Sequence, residues 1–292
     1  MHLLRRPGFP RRRAHSGECV LPGRRALSLG ERPSRDFKNG DSLMKRGRFD
    51  GTKQILQFNW PFYAIAAPLL VTGAAALKLR RWPRLIAAGG AAGIAASAFW
   101  MVASVAASWW VYDASPIMKW RWLRDYFPTA PSRWANFHAG LDESTPALRE
   151  LFGTDGIAFD FFEAATMTEP SIRRARALYS PDIEADNVDF RALPLEDGAL
   201  DAAFVFFAAH EIRNPRDREA FVAELHRVLA IGGQLVLLEH VRDAANFAVF
   251  GPGAFHFWSA EEWRRLTRPG FEVEVETRMT PFVRLWIWRK TA

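Results

Sequence analysis

The chain has 292 residues, 49% of them hydrophobic, and a net charge of +7, enough for one sizeable domain plus appendages. The charge is uneven: residues 1–58 hold 14 Lys and Arg against 5 Asp and Glu, whereas residues 113–292 hold 21 against 27. A net-acidic folded part excludes the basic face that nucleic-acid binding needs. The single cysteine, Cys19, excludes an intrachain disulfide and a thiolate metal site.

In chain order, the first 43 residues are rich in Arg, Pro, Gly and Ser. Such a segment buries too little apolar surface to offset its ordering entropy, so residues 1–57 are expected to form a basic, disordered tail. Two uncharged runs follow, Trp60–Leu77 with 18 residues and Leu85–Tyr112 with 28. A helix crossing the hydrocarbon core needs about 20 apolar residues, and Phe58 and Asn59 extend the first run. Trp60, Trp82, Trp109, Trp110 and Tyr112 stand at the run ends, as an aromatic belt would. Residues 58–112 are therefore expected to form a transmembrane helical hairpin, with the bilayer as partner. The link between the runs carries Lys78, Arg80, Arg81 and Arg84. Outside the hairpin stand Lys45, Arg46, Arg48, Lys53, Lys119, Arg121 and Arg124. The positive-inside rule then puts both termini, and the soluble domain, on the cytoplasmic side of the inner membrane.

Residues 113–292 read as alternating strand and helix. "RWANFHAG" is a strand and "STPALRELF" a helix, with Thr145 as cap and Pro146 at the first position. "GIAFDFF" is a strand bearing Asp160, "MTEPSIRRARALY" a helix and "NVDFRAL" a weak strand. "DAAFVFFAAHE" suits a strand covered on both faces. "DREAFVAELHRVL" is an amphipathic helix with Phe221, Leu225, Val228 and Leu229 as its stripe. Gly232-Gly233 turns the chain into "QLVLLEH", and "SAEEWRRLT" opens with a capping box of Ser259 and Glu262. "FEVEVETRM" and "FVRLWIWRK" form an alternating pair with no helix between. The pattern predicts an α/β fold: a mainly parallel sheet with helices on both faces and an antiparallel edge pair.

"LPLEDGALDAAFVFFAAHEI", "AFVAELHRVLAIGGQLVLLEH" and "FWSAEEWRRLTRPGFEVEVE" follow one another in an order that resembles the class I S-adenosylmethionine-dependent methyltransferases, in the type 11 branch with its quinone-biosynthesis methylases. The matching positions are Leu193-Pro194-Leu195, Asp197, Leu200-Asp201, Glu224, Arg227-Val228-Leu229, Gly232-Gly233 and Glu239. The resemblance implies a Rossmann-like sheet and S-adenosylmethionine as cofactor, with cofactor contacts at Gly140, Asp142, Asp160 and Phe207. Asp160 holds the place of the ribose-binding acid after the second strand. The glycine-rich loop departs from the family: "FHAGLDEST" has Gly140 and then Leu141-Asp142-Glu143, and either acid faces the cationic methionine end. The acid expected near the adenine is replaced by Arg191-Ala192.

His210 ends the fourth strand, where α/β sheets place ligands, and is a candidate general base for a phenol or enol acceptor. His240 ranks behind it, His226 reads as a surface residue, and Glu239 as a contact to the neighbouring helix. Arg173, Arg174 and Arg176 read as a solvated helix face. "FGPGAFHFW" lies where the family often has a substrate lid. No pair has a recognised metal-ligand spacing, so no metal is expected. Two functions stay open: a membrane-anchored methyltransferase for a small hydrophobic acceptor such as a quinone, lipid or isoprenoid-like compound, or a non-enzymatic membrane protein with a degenerate methyltransferase-like domain.

Overall fold

The computed structural model describes residues 46–179, 185–267 and 269–292. The expectation of disorder over the first 43 residues, and Cys19 with it, lies outside the described residues.

Two long helices come first, α1 (Asp50–Leu79) and α2 (Arg84–Trp109). Each is long and apolar enough to cross a membrane by length and composition. Trp60, Ile65, Leu69, Leu85 and Val102 are exposed on them. The two helices pack antiparallel, and Gly73 and Gly90 stand in the seam against Ile94 and Leu77, the small residues that let two apolar helices approach closely. The first helix begins at Asp50, earlier than the boundary expected at residue 58. The cause is a cap from a distant residue. Asp113 accepts the amide hydrogens of Gly51 and Thr52, each at 2.8 Å, together with the Thr52 hydroxyl. These first-turn amides have no partner within the helix.

After α2, a π-helical turn carries Val111, and two 3₁₀ turns carry Ile117, Trp120 and Leu123, into the core of the following domain. The linker is thus part of the fold. A seven-stranded sheet follows, made of β1 (Trp134–His138), β2 (Ile157–Asp160), β3 (Asp186–Asn187), β4 (Leu200–Phe206), β5 (Leu229–His240), β6 (Phe271–Thr280) and β7 (Val283–Lys290). Its order is β3-β2-β1-β4-β5-β7-β6. The first five strands in that order run parallel, and β7 pairs antiparallel with both β5 and β6, as the alternating end pair predicts. Helices α3 (Thr145–Phe152), α4 (Pro170–Leu178), α5 (Pro215–Val228), α6 (Ala244–Phe250) and α7 (Ala260–Arg265) connect them.

Strand periodicity splits the core into two layers. Ala135 and Phe137 of β1, with Ala203 and Val205 of β4, pack with Phe221 and Trp263 on one face. Trp134, Phe204 and Phe206 face the other, under Phe152 and the post-hairpin segment. Three local expectations are corrected. The residue ahead of α3 is Ser144, and the amides of Ser144 and Thr145 are bonded by the Asp142 carboxylate. The stretch "NVDFRAL" gives only Asn187 to the two-residue β3, and Phe190 and Leu193 turn into the core instead of lining an edge. Gly232-Gly233 is a register shift within a continuous β5, not a turn between elements. Gly232 has φ +81, and a Cβ on Gly233 would lie 2.9 Å from the Ala230 carbonyl oxygen, so both positions require glycine. The capping box of Ser259 and Glu262 forms as expected.

Candidate active site

The strands β1, β2, β4 and β5 end on one edge of the sheet, and the candidate residues sit at those ends. On the β1 and β2 side the loop after His138 is tightly folded. Asp142 is fully buried. Its Oδ1 accepts from Asn136 Nδ2 (3.1 Å), the Ser144 amide (3.0 Å), the Ser144 hydroxyl (3.1 Å) and the Thr145 amide (2.9 Å). Its Oδ2 has no hydrogen-bond partner among the described residues and lies 3.7 Å from His138 Nε2, itself unpartnered. Asn136 Oδ1 is a third buried polar atom without a partner in this loop. The Gly140 amide donates to His138 Nδ1 (3.3 Å), so the neutral His138 carries its proton on Nε2.

Asp160 ends β2 and is buried, and both its oxygens are engaged. Oδ1 accepts the Phe162 amide at 3.0 Å, and Oδ2 accepts from Arg176 Nη1 at 2.7 Å. Arg176 reaches over from α4, with its guanidinium 4.2 Å above the Phe162 ring. Its stem lies against Gly140, where an added Cβ would stand 3.2 Å from Arg176 Cγ. At φ +152 that position already favours glycine. The arginines of α4 are therefore not all a solvated face, since Arg174 also donates to the Phe58 carbonyl of α1. Arg191 forms a network, bidentate to Asp217 (3.0 and 2.9 Å) and bonded to Glu163 (3.1 Å).

The β4 and β5 side is a histidine and glutamate cluster. Glu239 is fully buried, and its Oε1 accepts the amides of Ala208 (3.1 Å) and His210 (3.3 Å). Its Oε2 lies 2.7 Å from His210 Nδ1, so Glu239 contacts His210 as well as the neighbouring backbone. Burial alone would depress His210, but the Glu239 carboxylate, with Glu211, carries it up to about 10. Glu211 is also buried, which would raise it, yet the His210 contact holds it below the usual carboxylate range. His256 comes from the lid segment and is pushed down to about 3, first by burial and then by the charge of His210.

His240 is wedged between the β5 end and the hairpin. Its Nδ1 lies 3.0 Å from the Phe282 carbonyl oxygen, which only accepts, so Nδ1 carries the proton. Nε2 then accepts from the Tyr112 hydroxyl at 2.9 Å. Burial first, then the charge of His210, pushes His240 down to about 4. Phe207 adopts φ +51, strained for a bulky residue, and its ring packs against both Tyr112 and His240. The structure thus gathers Gly140, Asp142 and Asp160 at one end of the edge, and His210 and Phe207 at the other. Sequence reasoning missed His138, Arg176, Tyr112 and His256, although "FHAG" and "AFHFW" displayed both histidines. His226 is half-buried against Phe271 rather than free on the surface.

Residues 140–237 match the profile of a family described as a methyltransferase domain, type 11. Over that span the chain is similar to the type 11 methyltransferases. Over 111 residues it is 36% identical to the demethylmenaquinone methyltransferase of Thermus thermophilus, covering 38% of this chain and 48% of that protein. Over 127 residues it is 32% identical to the ubiquinone/menaquinone biosynthesis C-methyltransferase UbiE of Citrifermentans bemidjiense, covering 37% and 52%. The chain thus spans about half the length of these relatives. Among solved structures, a SAM-dependent methyltransferase from Aquifex aeolicus aligns at TM-score 0.42 and 18% identity, over 55% of this chain and 82% of that one. The matched span includes the loop at Gly140 and the end of β4 but stops at residue 237, so His256 lies outside it. Its edge is also joined to the hairpin: Gln54 of α1 donates to Glu143 (3.0 Å), and Arg46 pairs with the same carboxylate at 3.0 Å.

Proposed function

We propose that the protein is a membrane-anchored S-adenosylmethionine-dependent methyltransferase acting on a small hydrophobic acceptor of the quinone type. The observation that carries the reading is the docking of the apolar hairpin on the carboxyl edge of the methyltransferase domain. Asp113 caps α1 there, Tyr112 bonds His240, and Trp100 of α2 meets Phe247 of α6 edge to face at 6.1 Å. Phe247 and Phe255 of the lid segment are exposed beside that contact. An acceptor partitioned into a bilayer would reach such a site without crossing water. The relatives named for quinone methylation support the acceptor class. The seven basic residues outside the hairpin, against four in its link, support a cytoplasmic face.

The residues fit S-adenosylmethionine once Arg176 leaves Asp160. Asp160 would then take the ribose hydroxyls. The unpartnered oxygens of Asn136 and Asp142 would face the cationic methionine end, a favourable pairing in a buried site. When bound, the cofactor supplies an electrophilic methyl group. His210, held by Glu239 with Nε2 turned from β5, keeps its proton at neutral pH because that carboxylate raises it to about 10. It would donate a hydrogen bond to an acceptor oxygen, and the general-base role expected of it would first require loss of that proton. The direct test is transfer of labelled methyl from S-adenosylmethionine to a demethylmenaquinone analogue by the full chain in lipid vesicles. Label in the lipid-soluble product is expected; folded protein that neither binds the cofactor nor transfers label overturns the reading.

A second reading, a ligand-binding or scaffold domain without turnover, is favoured by the Arg176–Asp160 pair, since the protein's own side chain stands where the ribose would. Cofactor binding by calorimetry separates the two readings.

A further inference from the structure

We propose that His210, Glu211 and His256 form a binding site for one divalent transition-metal ion of the zinc type, between the end of β4 and the lid. His210 and Glu211 are neighbours on the 3₁₀ turn after β4, and His256 ends the 3₁₀ turn of the lid. Their donor atoms all lie within 4.8 Å of one another. His210 Nε2 stands 3.5 Å from Glu211 Oε1, and His256 Nε2 stands 3.8 Å from the same oxygen. For metal–ligand bonds of about 2.0–2.1 Å, neighbouring ligands in a tetrahedron are about 3.3 Å apart. The cluster is therefore near ligand spacing before any ion draws it in.

The surroundings are those of a metal centre. A ligating histidine usually gives its other ring N–H to a carboxylate, which fixes the ring and leaves one lone pair facing the ion. His210 does so, with Nδ1 at 2.7 Å from the buried Glu239. His256 has the same arrangement in looser form, with Nδ1 at 3.4 Å from Glu169. Glu211 is 6% exposed, and its Oε2 has no hydrogen-bond partner among the described residues. A buried carboxylate oxygen in that state is costly, and a cation on Glu211 removes the cost. Two imidazoles and one carboxylate select first-row ions such as zinc over magnesium or calcium, which favour oxygen ligands. Three protein ligands leave a position open for water or an acceptor oxygen, whose pKa the ion would lower. That last role rests on the methyltransferase reading; binding of the ion does not. The sequence hides the site, because two ligands are adjacent and the third lies in the lid, so no spacing motif exists.

The test uses the full chain in detergent, stripped with chelator and titrated with Zn²⁺ alone, then with Co²⁺ as a visible probe. One equivalent of zinc per chain is expected after desalting, and the cobalt form should show tetrahedral absorption bands. His256→Ala and Glu211→Gln should each weaken zinc binding at least tenfold. Glu169→Gln should weaken it less, with circular dichroism and lid proteolysis unchanged in all three. Folded wild-type protein that retains no zinc overturns the proposal, as does zinc held equally by the His256→Ala, Glu211→Gln double variant. Zinc binding without methyl transfer would keep the metal site and remove the enzymatic reading; transfer without zinc would do the reverse.

Discussion

The two ends of the sheet's carboxyl edge use the same kinds of side chain in opposite ways. At the β1 and β2 end, Asp142 and Asp160 are satisfied largely from within: one holds the start of α3, the other holds Arg176. At the β4 and β5 end, Glu239 fixes His210, while the Nε2 atoms of His210 and His256 converge on Glu211 Oε1 at 3.5 and 3.8 Å. At the first end the protein's own Arg176 occupies Asp160, while Asp142 Oδ2 and Asn136 Oδ1 stay unpartnered; the second end gathers two histidines and a glutamate within ligand spacing of one another. A fold can thus be kept intact while its two ligand-facing ends diverge, which is why fold alone does not fix function.

The largest effect separating the two ends should come from Glu239→Ala. It leaves His210 and two buried amides without their acceptor, and removing one partner of a buried charged pair costs about 3–5 kcal/mol. Thermal unfolding in detergent should show it as a fall in midpoint far beyond that of Asp160→Ala. In that variant Arg176 is half-free to find water, so the loss is smaller. Equal losses would erase the contrast.

Second in size is the pH dependence from His240. Its folded pKa of about 4 lies below the usual 6.5. Between those values the unfolded chain binds the proton and the folded chain does not, so stability falls as pH drops from about 6.5 to 4. At 1.36 kcal/mol per unit, the loss is at most roughly 3 kcal/mol. His256, pushed down to about 3, contributes in the same direction over the same range, so His240→Phe should reduce the slope and a further His256 substitution should flatten it. The ring also faces Tyr112, Phe207, Phe250, Phe257, Asn246, the Phe282 carbonyl and the charges of His210 and Asp243. A variant with the same acid slope as the wild type would place the sensitivity elsewhere.

Third is the pair Arg176→Ala and Asp160→Ala, read by calorimetry with S-adenosylmethionine. Freeing Asp160 should tighten binding about tenfold, about 1.4 kcal/mol, while removing Asp160 should weaken it by at least as much. If Arg176→Ala weakens binding instead, the arginine is a ligand-side contact rather than an occupant of the site.

What the sequence showed of these ends follows the range of the forces involved. The alternation of strand and helix and the antiparallel end pair were legible because hydrophobic periodicity is local. Asp160 was legible as a strand-end acid. Its partner Arg176 was not, because the same arginine-rich helix serves equally well as a solvated face until α4 is laid beside β2. Glu211 and His256 stayed unconnected for a similar reason: the lid's fold brings them together, and no local period records it. Asp142 divides its two oxygens: short-range geometry gives Oδ1 to the amides of Ser144 and Thr145 and leaves Oδ2 unpartnered. Arg191, standing where an acid was expected, found Asp217 and Glu163 and joins the loop after β2 to α5.

The smallest effect on stability tests whether the hairpin belongs to the edge or merely precedes it. Asp113→Ala removes the acceptor for the Gly51 and Thr52 amides and the Thr52 hydroxyl. Loss of a cap costs about 0.5–2 kcal/mol, so the domain should remain folded. The first turns of α1 would then fray, taking Gln54 from Glu143 and leaving Arg46 less constrained. Protease cleavage within residues 46–58 should become faster in the variant, with the β-sheet spectrum unchanged. Because Glu143 sits on the Gly140 loop, cofactor affinity should shift in the same variant although Asp113 touches no candidate ligand atom. Faster cleavage with unaltered affinity would mean that the hairpin anchors the domain without shaping its cofactor end. A shift in both would make the hairpin a structural part of the site.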